Sequence, residues 1–565
     1  MSIPHVVQFH PTLPALALLA LVACNNKDKN NADNVDGDAD TDADSDADTD
    51  ADTDTDTDTD TDTGSDGPGI TVNPFPHLTG DPAQGRAVFR METFGNEHFW
   101  TEALRLPQGV VAAGITPLDA LALGLSVDVD RVDPATAATI VAELLTNLSP
   151  ADAPTLNDPA ATLVLLNENA VIGIVVVDTN LDGTLDLAAG DEAGATCALC
   201  HTITDGSVYE APDSGSIGRR KDGRAAHALD FGSLVALGTN SRAYYPLLQL
   251  ALDANGGATL GRAPTGLTEA STEAEVDAYL TNRDFYPVGT FDDTFDGNGD
   301  PMHNPALFLT ALAAPWGSEG TFAQLDNFNN TVFTTLLDPT TLTTPDGRAF
   351  LHALAGAAGD EIADDYVQIL TETNVTGYPY VVADVHPSPG SEAAVVGLRV
   401  DNQKLLDLNG YLDSLAAPAG VAGAADAIAT GRDVFRHQCT QCHNVDQSLF
   451  VPPFTVAMNE IWPGDAPVTL ATREAPLNDI VNSVGIFDDK MAVVNASIRG
   501  DIRGIAMPVL LDLARKPNYL HDGSVPSLGA LLDGSRGPDA PHPFSVEDPV
   551  ERAGVIAFLK SLDAR

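Results

Sequence analysis

Apolar residues recur at helical spacing in four short segments of this 565-residue chain, and each predicts a helix. Gly85-Arg86-Ala87-Val88-Phe89-Arg90 recurs as Gly431-Arg432-Asp433-Val434-Phe435-Arg436, and Tyr411-Leu412-Asp413-Ser414-Leu415 recurs as Phe558-Leu559-Lys560-Ser561-Leu562. Their matched order points to a duplication in which each half opens and closes on a helix. Further helix is predicted over Asp133 to Asn147, where Asp133-Pro134 supplies a cap and a first-turn proline. The continuous apolar run Ala170 to Val177 predicts a buried strand.

Two N-terminal stretches break this pattern. The first 24 residues carry an apolar stretch that ends in Leu21-Val22-Ala23-Cys24, an export signal similar to a bacterial lipoprotein box with Cys24 as the lipidated residue. An ordinary cleaved signal is the alternative. Residues 25–69 alternate Asp with Thr or Ala, with 17 Asp against two Lys. So little apolar surface cannot fold, and the repeated charge stretches the segment into a solvated tether. Asn25 rather than Asp follows Cys24, which favours an outer-membrane anchor over retention at the inner membrane and places the protein in the periplasm or cell envelope. No later apolar run reaches the roughly 20 residues that a spanning helix needs.

The net charge is −53, and about −38 remains without the tether. A body this acidic excludes nucleic acid as a partner and favours a neutral or basic soluble protein.

The chemistry lies in the cysteines. Apart from Cys24, all of them fall in two pentapeptides, Cys197-Ala-Leu-Cys200-His201 and Cys439-Thr-Gln-Cys442-His443. Cys-x-x-Cys-His is the attachment signature of c-type haem. The two thiols add across the haem vinyl groups, and the histidine supplies the proximal iron ligand. Two local disulfides or one four-cysteine zinc site are the alternatives. Two covalently bound haem c groups are therefore expected, which agrees with export, because bacteria attach haem c outside the cytoplasmic membrane.

The halves are unequal. Eight positions separate Gly431 from Cys439, whereas 112 separate Gly85 from Cys197, so about a hundred residues are inserted ahead of the first motif. Within the insert, Asp178, Asn180, Asp182 and Asp186 have the oxygen-ligand alternation of a calcium loop, with Gly183 at its turn and Ala189 at the twelfth position. A hairpin turn is the alternative. Asp296-Gly-Asn298-Gly-Asp300 is a weaker case of the same pattern. The expected fold is mainly α, two cytochrome c-like haem domains with the first enlarged by an N-terminal insert carrying some short strands. The expected division is signal 1–24, tether 25–69, first haem domain 70–415, linker 416–428 and second domain 429–565.

Several of these motifs together resemble the bacterial di-haem cytochrome c peroxidases, a family whose relatives include the tryptophan-tryptophylquinone maturation enzyme. The resemblance is firmest from residue 429 onward. It rests on Gly431 to His443, on Arg503-Gly504-Ile-Ala-Met507-Pro508, and on Tyr519-Leu520-His521-Asp522-Gly523-Ser524. In the first half it rests on Phe94-Gly-Asn-Glu-His-Phe99-Trp100 and on Gly215 to Gly223 after the haem motif.

The resemblance implies a reactive first haem fed with electrons by the second, hydrogen peroxide as oxidant, and a small cytochrome or copper protein as donor. It implies Trp316 as the relay between haems, with Trp100 second, and Gln324 as the glutamine over the open haem face. The family's Asn-Pro-x-Glu-Met string, which supplies a catalytic glutamate, is absent, with Asp338-Pro339 nearby. Met507 is the leading distal ligand of the second haem, with His521 and His542 as rivals. Met302, His303 and His227 are considered for the first. A non-catalytic di-haem electron-transfer lipoprotein is the other functional class.

Overall fold

The computed structural model describes residues 77–259, 261–299, 301–308, 310, 316–317, 322, 324–384, 395–439, 510–520, 523–537, 542 and 544–562. Cys24, the signal, the tether, Cys442, His443, Met507 and His521 lie outside the described residues.

Helix dominates over strand. The helices that position the site are α1 (Pro82–Met91), α2 (Asn96–His98, running into a π-helical turn over Phe99–Ala103), α3 (Pro134–Leu144) and α4 (Ala198–His201). They are followed by α5 (Ala357–Glu372), α6 (Asn402–Ser414), α7 (Ala425–Gln438) and α8 (Pro549–Lys560). Strands among the described residues are short: β1 (Val127–Asp128), β2 (Ile174–Val177), β3 (Glu192–Ala195), β4 (Thr202–Thr204), β5 (Ile217–Gly218), β6 (Arg220–Asp222), β7 (Thr290–Phe291) and β8 (Met302–His303). They form four two-stranded pairs, of which β1 with β5 is parallel and the other three are antiparallel.

The repeated segments form two helix pairs, α1 on α6 and α7 on α8, with the same glycine at each crossing. A Cβ on Gly85 would lie 1.8 Å from the carbonyl oxygen of Asp407, and one on Gly431 would lie 1.9 Å from that of Gly554. Asp407 and Gly554 each stand four positions before the repeated aromatic, Tyr411 or Phe558. Only a residue without a side chain lets the backbones approach this closely. Beside each crossing an aromatic pair packs edge to face or tilted, Phe89 with Tyr411 and Phe435 with Phe558, both at 5.5 Å between ring centroids.

In the insert, Asp133 caps α3 by accepting from the amides of Ala135 and Thr136. The helix ends at Leu144 rather than Asn147, because the chain turns where the Thr146 amide donates to Glu143. The apolar run from Ala170 also divides. Val171 bridges to Val127, Gly173 takes a left-handed φ of 86°, and regular strand begins at Ile174. Gly173 has no room for a Cβ, which would meet the Leu199 Cα at 2.1 Å, so this break seats β2 against the back of α4.

The buried residues fall into three apolar clusters. One fills the insert and α5, one is built on α1 and α6, and the third holds α7, α8 and residues 511–532.

Candidate functional site

Helix α4 lies on the seam between the first two clusters, with Cys197 packed against the α1–α6 cluster and Cys200 against the larger one. Strand β3 feeds it and β4 leaves it. The returning chain then closes on it, with the Gly223 amide donating to His201 O and the Ala226 amide donating to Cys200 O. The segment after β8 completes the enclosure. His201 Nδ1 lies 2.9 Å from the carbonyl oxygen of Pro305, and Asn304 Nδ2 donates to Ala226 O.

This geometry fixes the imidazole. A carbonyl can only accept, so Nδ1 carries the proton and donates, which leaves the Nε2 lone pair free on the opposite edge of the ring. Metal-ligating histidines are held in this way by an outer hydrogen bond. Burial pushes the His201 pKa down to about 4, so the ring is neutral and able to ligate at neutral pH. The two thiols are unbridged, and burial pushes both up to about 12. Yet Cys197, Cys200 and His201 each keep intermediate exposure. The three side chains are thus enclosed without being wholly covered, and an apolar cluster packs against each cysteine. These residues fit a thioether-linked haem with His201 Nε2 on its iron.

Trp316 is 4% exposed and belongs to the cluster against which Cys197 packs, so the structure brings this tryptophan and the first motif into one core. Its indole donates to the carbonyl of Thr310 at 2.9 Å, and the His77 ring stands edge-on to it at 4.8 Å. Trp100 is buried in the other cluster and donates to Leu337 O. Gln324 is the half-buried cap residue before Leu325–Thr331 and makes no side-chain capping bond.

Asp338, the acid nearest to the family's missing glutamate, is fully buried and saturated. It accepts from the amides of Thr340, Tyr380 and Val381 and from the Thr340 hydroxyl. Burial raises its pKa, yet four donors hold the carboxylate in a structural role.

Met302 and His303 form β8, on the segment that reaches His201 from the Nδ1 edge. His227 stacks on His303 at 6.4 Å, and its Nδ1 is buried without a hydrogen-bond partner. Met302 and His303 thus flank Pro305 on its N-terminal side along the chain, and the ring contact joins His227 to His303. Arg224, close to this flank, pairs with Asp512 at 3.3 Å and joins the first half to the second.

In the second half, Cys439 is the C-cap of α7 and packs against the third cluster. His542 is 8% exposed, with its ring edge-on to Phe544 at 5.4 Å.

The aspartate loop joins β2 to β3 as a hairpin connection that satisfies itself. Asp178 accepts from the amides of Asp182 and Gly183, Asn180 from that of Asp182, and Asp182 from Thr184. Asp186 accepts from the Ala188 amide, and Asp191, which the sequence pattern did not include, accepts from the amides of Asn180 and Asp186.

The chain matches no protein-family model, no curated protein and no solved structure in the comparisons made with each. Pro305 was not visible to sequence reasoning, because every residue carries a carbonyl and only the fold selects one.

Proposed function

We propose that the chain is an exported di-haem c-type cytochrome and a peroxidase-like oxidoreductase, a divergent relative of the bacterial di-haem cytochrome c peroxidases. The observation that carries this reading is the His201–Pro305 hydrogen bond, set beside two free, half-exposed cysteines in a Cys-x-x-Cys-His helix. Cys197 and Cys200 would hold the first haem and His201 would ligate its iron, while Cys439, Cys442 and His443 would hold the second. The haem groups supply the redox chemistry. The chain's own residues fix the proximal ring, exclude water with apolar walls and, through Trp316, link the first motif to the α1–α6 core. A lipid anchor at Cys24 would hold the protein at the cell envelope, with a small soluble redox protein as donor and hydrogen peroxide as oxidant.

A second reading, electron transfer without catalysis, is favoured by the fully engaged Asp338, which leaves the family's glutamate without a substitute there. One spectroscopic series separates the two. The alkaline pyridine spectrum of purified protein is expected to show two thioether-linked haems per chain, and its absence would end both readings. Absorption and EPR spectra, taken oxidised and half-reduced with peroxide or CO, are expected to reveal one haem that binds a ligand. Two low-spin haems inert in both states would leave the electron-transfer reading.

A further inference from the structure

Away from the haem motif, β3 is joined along one edge to side chains instead of another strand. Asn96 exchanges two hydrogen bonds with the backbone of Ala195, both at 2.9 Å, and Thr101 does the same with Ala193 at 2.9 and 3.1 Å. Gly194 lets α2 settle onto the strand, since a Cβ there would meet the Glu97 Cα at 2.9 Å. The helical turn and the strand are therefore held in fixed register.

That register gathers His98, Glu102 and Glu192, whose donor atoms all lie within 4.8 Å of one another. His98 and Glu102 stand one turn apart, and Glu192 faces them from the strand. Glu192 Oε2 lies 2.5 Å from His98 Nδ1, a contact a bound ion would replace. Glu97 adds an independent sign. It is 8% exposed, its Oε2 has no partner, and its charge reaches the Glu192 carboxyl. A buried carboxylate oxygen without a donor is costly. Two carboxylates and one imidazole within this distance, with the buried Glu97 charge acting on Glu192, call for a cation. The π-helical turn that follows His98 is of the kind often found at functional sites.

We propose that His98, Glu102 and Glu192 bind a divalent transition-metal ion. One imidazole nitrogen with carboxylate oxygens suits zinc, iron(II) or manganese(II). The ion would clamp the helical turn to the strand that ends two residues before Cys197. This site uses none of the residues that would hold haem or act on it.

The test is calorimetric titration of chelator-treated full-length protein with zinc and, separately, manganese(II), with metal-dependent melting as a second readout. One ion per chain is expected, beyond any haem iron. Affinity should fall roughly tenfold or more in His98→Ala and Glu192→Gln, at least as much as losing an outer-shell partner costs. It should be unchanged in Asp182→Asn, which alters the aspartate loop. If those two substitutions fail to fold, Glu102→Gln at an exposed position decides the matter by weakening binding or leaving it intact. No uptake of either ion, binding that survives these substitutions, or binding lost in Asp182→Asn alone would overturn the proposal.

Discussion

The chain builds one helical frame twice and surrounds the two copies differently. In both copies a glycine on the opening helix meets a backbone carbonyl of the closing helix, at 1.8 Å from a would-be Cβ in the first and 1.9 Å in the second. An aromatic pair stands beside each crossing. In the second copy Cys439 caps the opening helix directly. In the first, the insert separates α1 from Cys197 and returns through β3, so α4 sits against α1 and α6 as an added element with a second apolar cluster behind it. The shared frame sets where a motif can dock. What the first half adds is enclosure: Gly173 of the insert behind α4 and, from the chain that follows the motif, Pro305 at its histidine and Trp316 within its core.

The sharpest way to break the comparison is to remove one motif at a time. Cys197→Ser with Cys200→Ser is expected to lower covalent haem from two per chain to one, and Cys439→Ser with Cys442→Ser to do the same. Pyridine haemochrome absorbance per mole of protein checks this. If the copies divide labour as donor and reactive centre, loss of either abolishes peroxide turnover, but only loss of the first removes the ligand-binding spectrum.

A smaller effect tests whether the crossings are equivalent. Gly85→Ala and Gly431→Ala each force a methyl group into a carbonyl oxygen, and the backbones must separate. Each is expected to destabilise its half by about 3 kcal/mol, at the upper end for overpacked sites. Thermal melts followed at both haem and far-ultraviolet wavelengths would show whether the losses match.

The frame was legible in the sequence because a helix crossing leaves a linear trace, a small residue and an aromatic at fixed spacing. Gly85 with Phe89 and Gly431 with Phe435, four positions apart in each copy, carry that trace. The pentapeptides were legible for the same reason, since their chemistry is local. What surrounds α4 was not. Pro305 acts through a carbonyl 104 positions from His201, and nothing in its side chain marks it. The strand run from Ala170 read as continuous, because hydrophobicity alone does not show that Gly173 must bend the chain around Leu199. In the sequence Asp338-Pro339 only lies near the missing glutamate string, and the four donors around the carboxylate show its structural use. His98 and Glu102 stood one turn apart in a segment noted for other reasons, but Glu192 joins them only through the β3 contact.

The pH response should also divide the halves. Burial pushes Asp296 up to about 6 and holds Asp292, beside it, well above its ordinary value; both lie in the first half. In the second half, exposed Asp533 is held low by Ser535. A carboxyl whose folded pKa is raised favours folding while protonated. Its contribution is complete at and below about pH 4 and is lost as pH rises through about 6. The first half is expected to lose about 2 kcal/mol between pH 4 and 7, an order-of-magnitude figure from a two-unit shift, and Asp296→Asn should flatten that loss. A second-half melting signal that fell equally over this range would contradict the division.

The finest distinction lies in one carboxylate. Asp222, 2% exposed at its side chain, accepts from Arg90 Nε at 2.5 Å, from the Tyr411 hydroxyl at 2.5 Å and from the Thr202 hydroxyl at 3.0 Å. It thus ties both helices of the first pair to β4, immediately after His201. Burial opposes the charge on Arg90, but Asp222 outweighs it and holds the guanidinium above its ordinary value. The second pair cannot make this link, because Phe558 replaces Tyr411 and has no hydroxyl. There, Arg432 lies over the Phe558 ring at 5.7 Å. Asp222→Asn keeps the shape and one acceptor but removes the charge, so it is expected to cost about 1.5 kcal/mol, the lower end for a hydrogen bond to a charged group. Burial and Asp222 together raise the Tyr411 pKa, so the same substitution should lower the midpoint of that tyrosine in an ultraviolet titration. If the carboxylate also fixes the first motif relative to α1 and α6, the haem signal of the first half will melt earlier while that of the second stays in place. Equal shifts in both signals would mean that the two frames unfold as one unit and that the asymmetry around α4 has no energetic boundary.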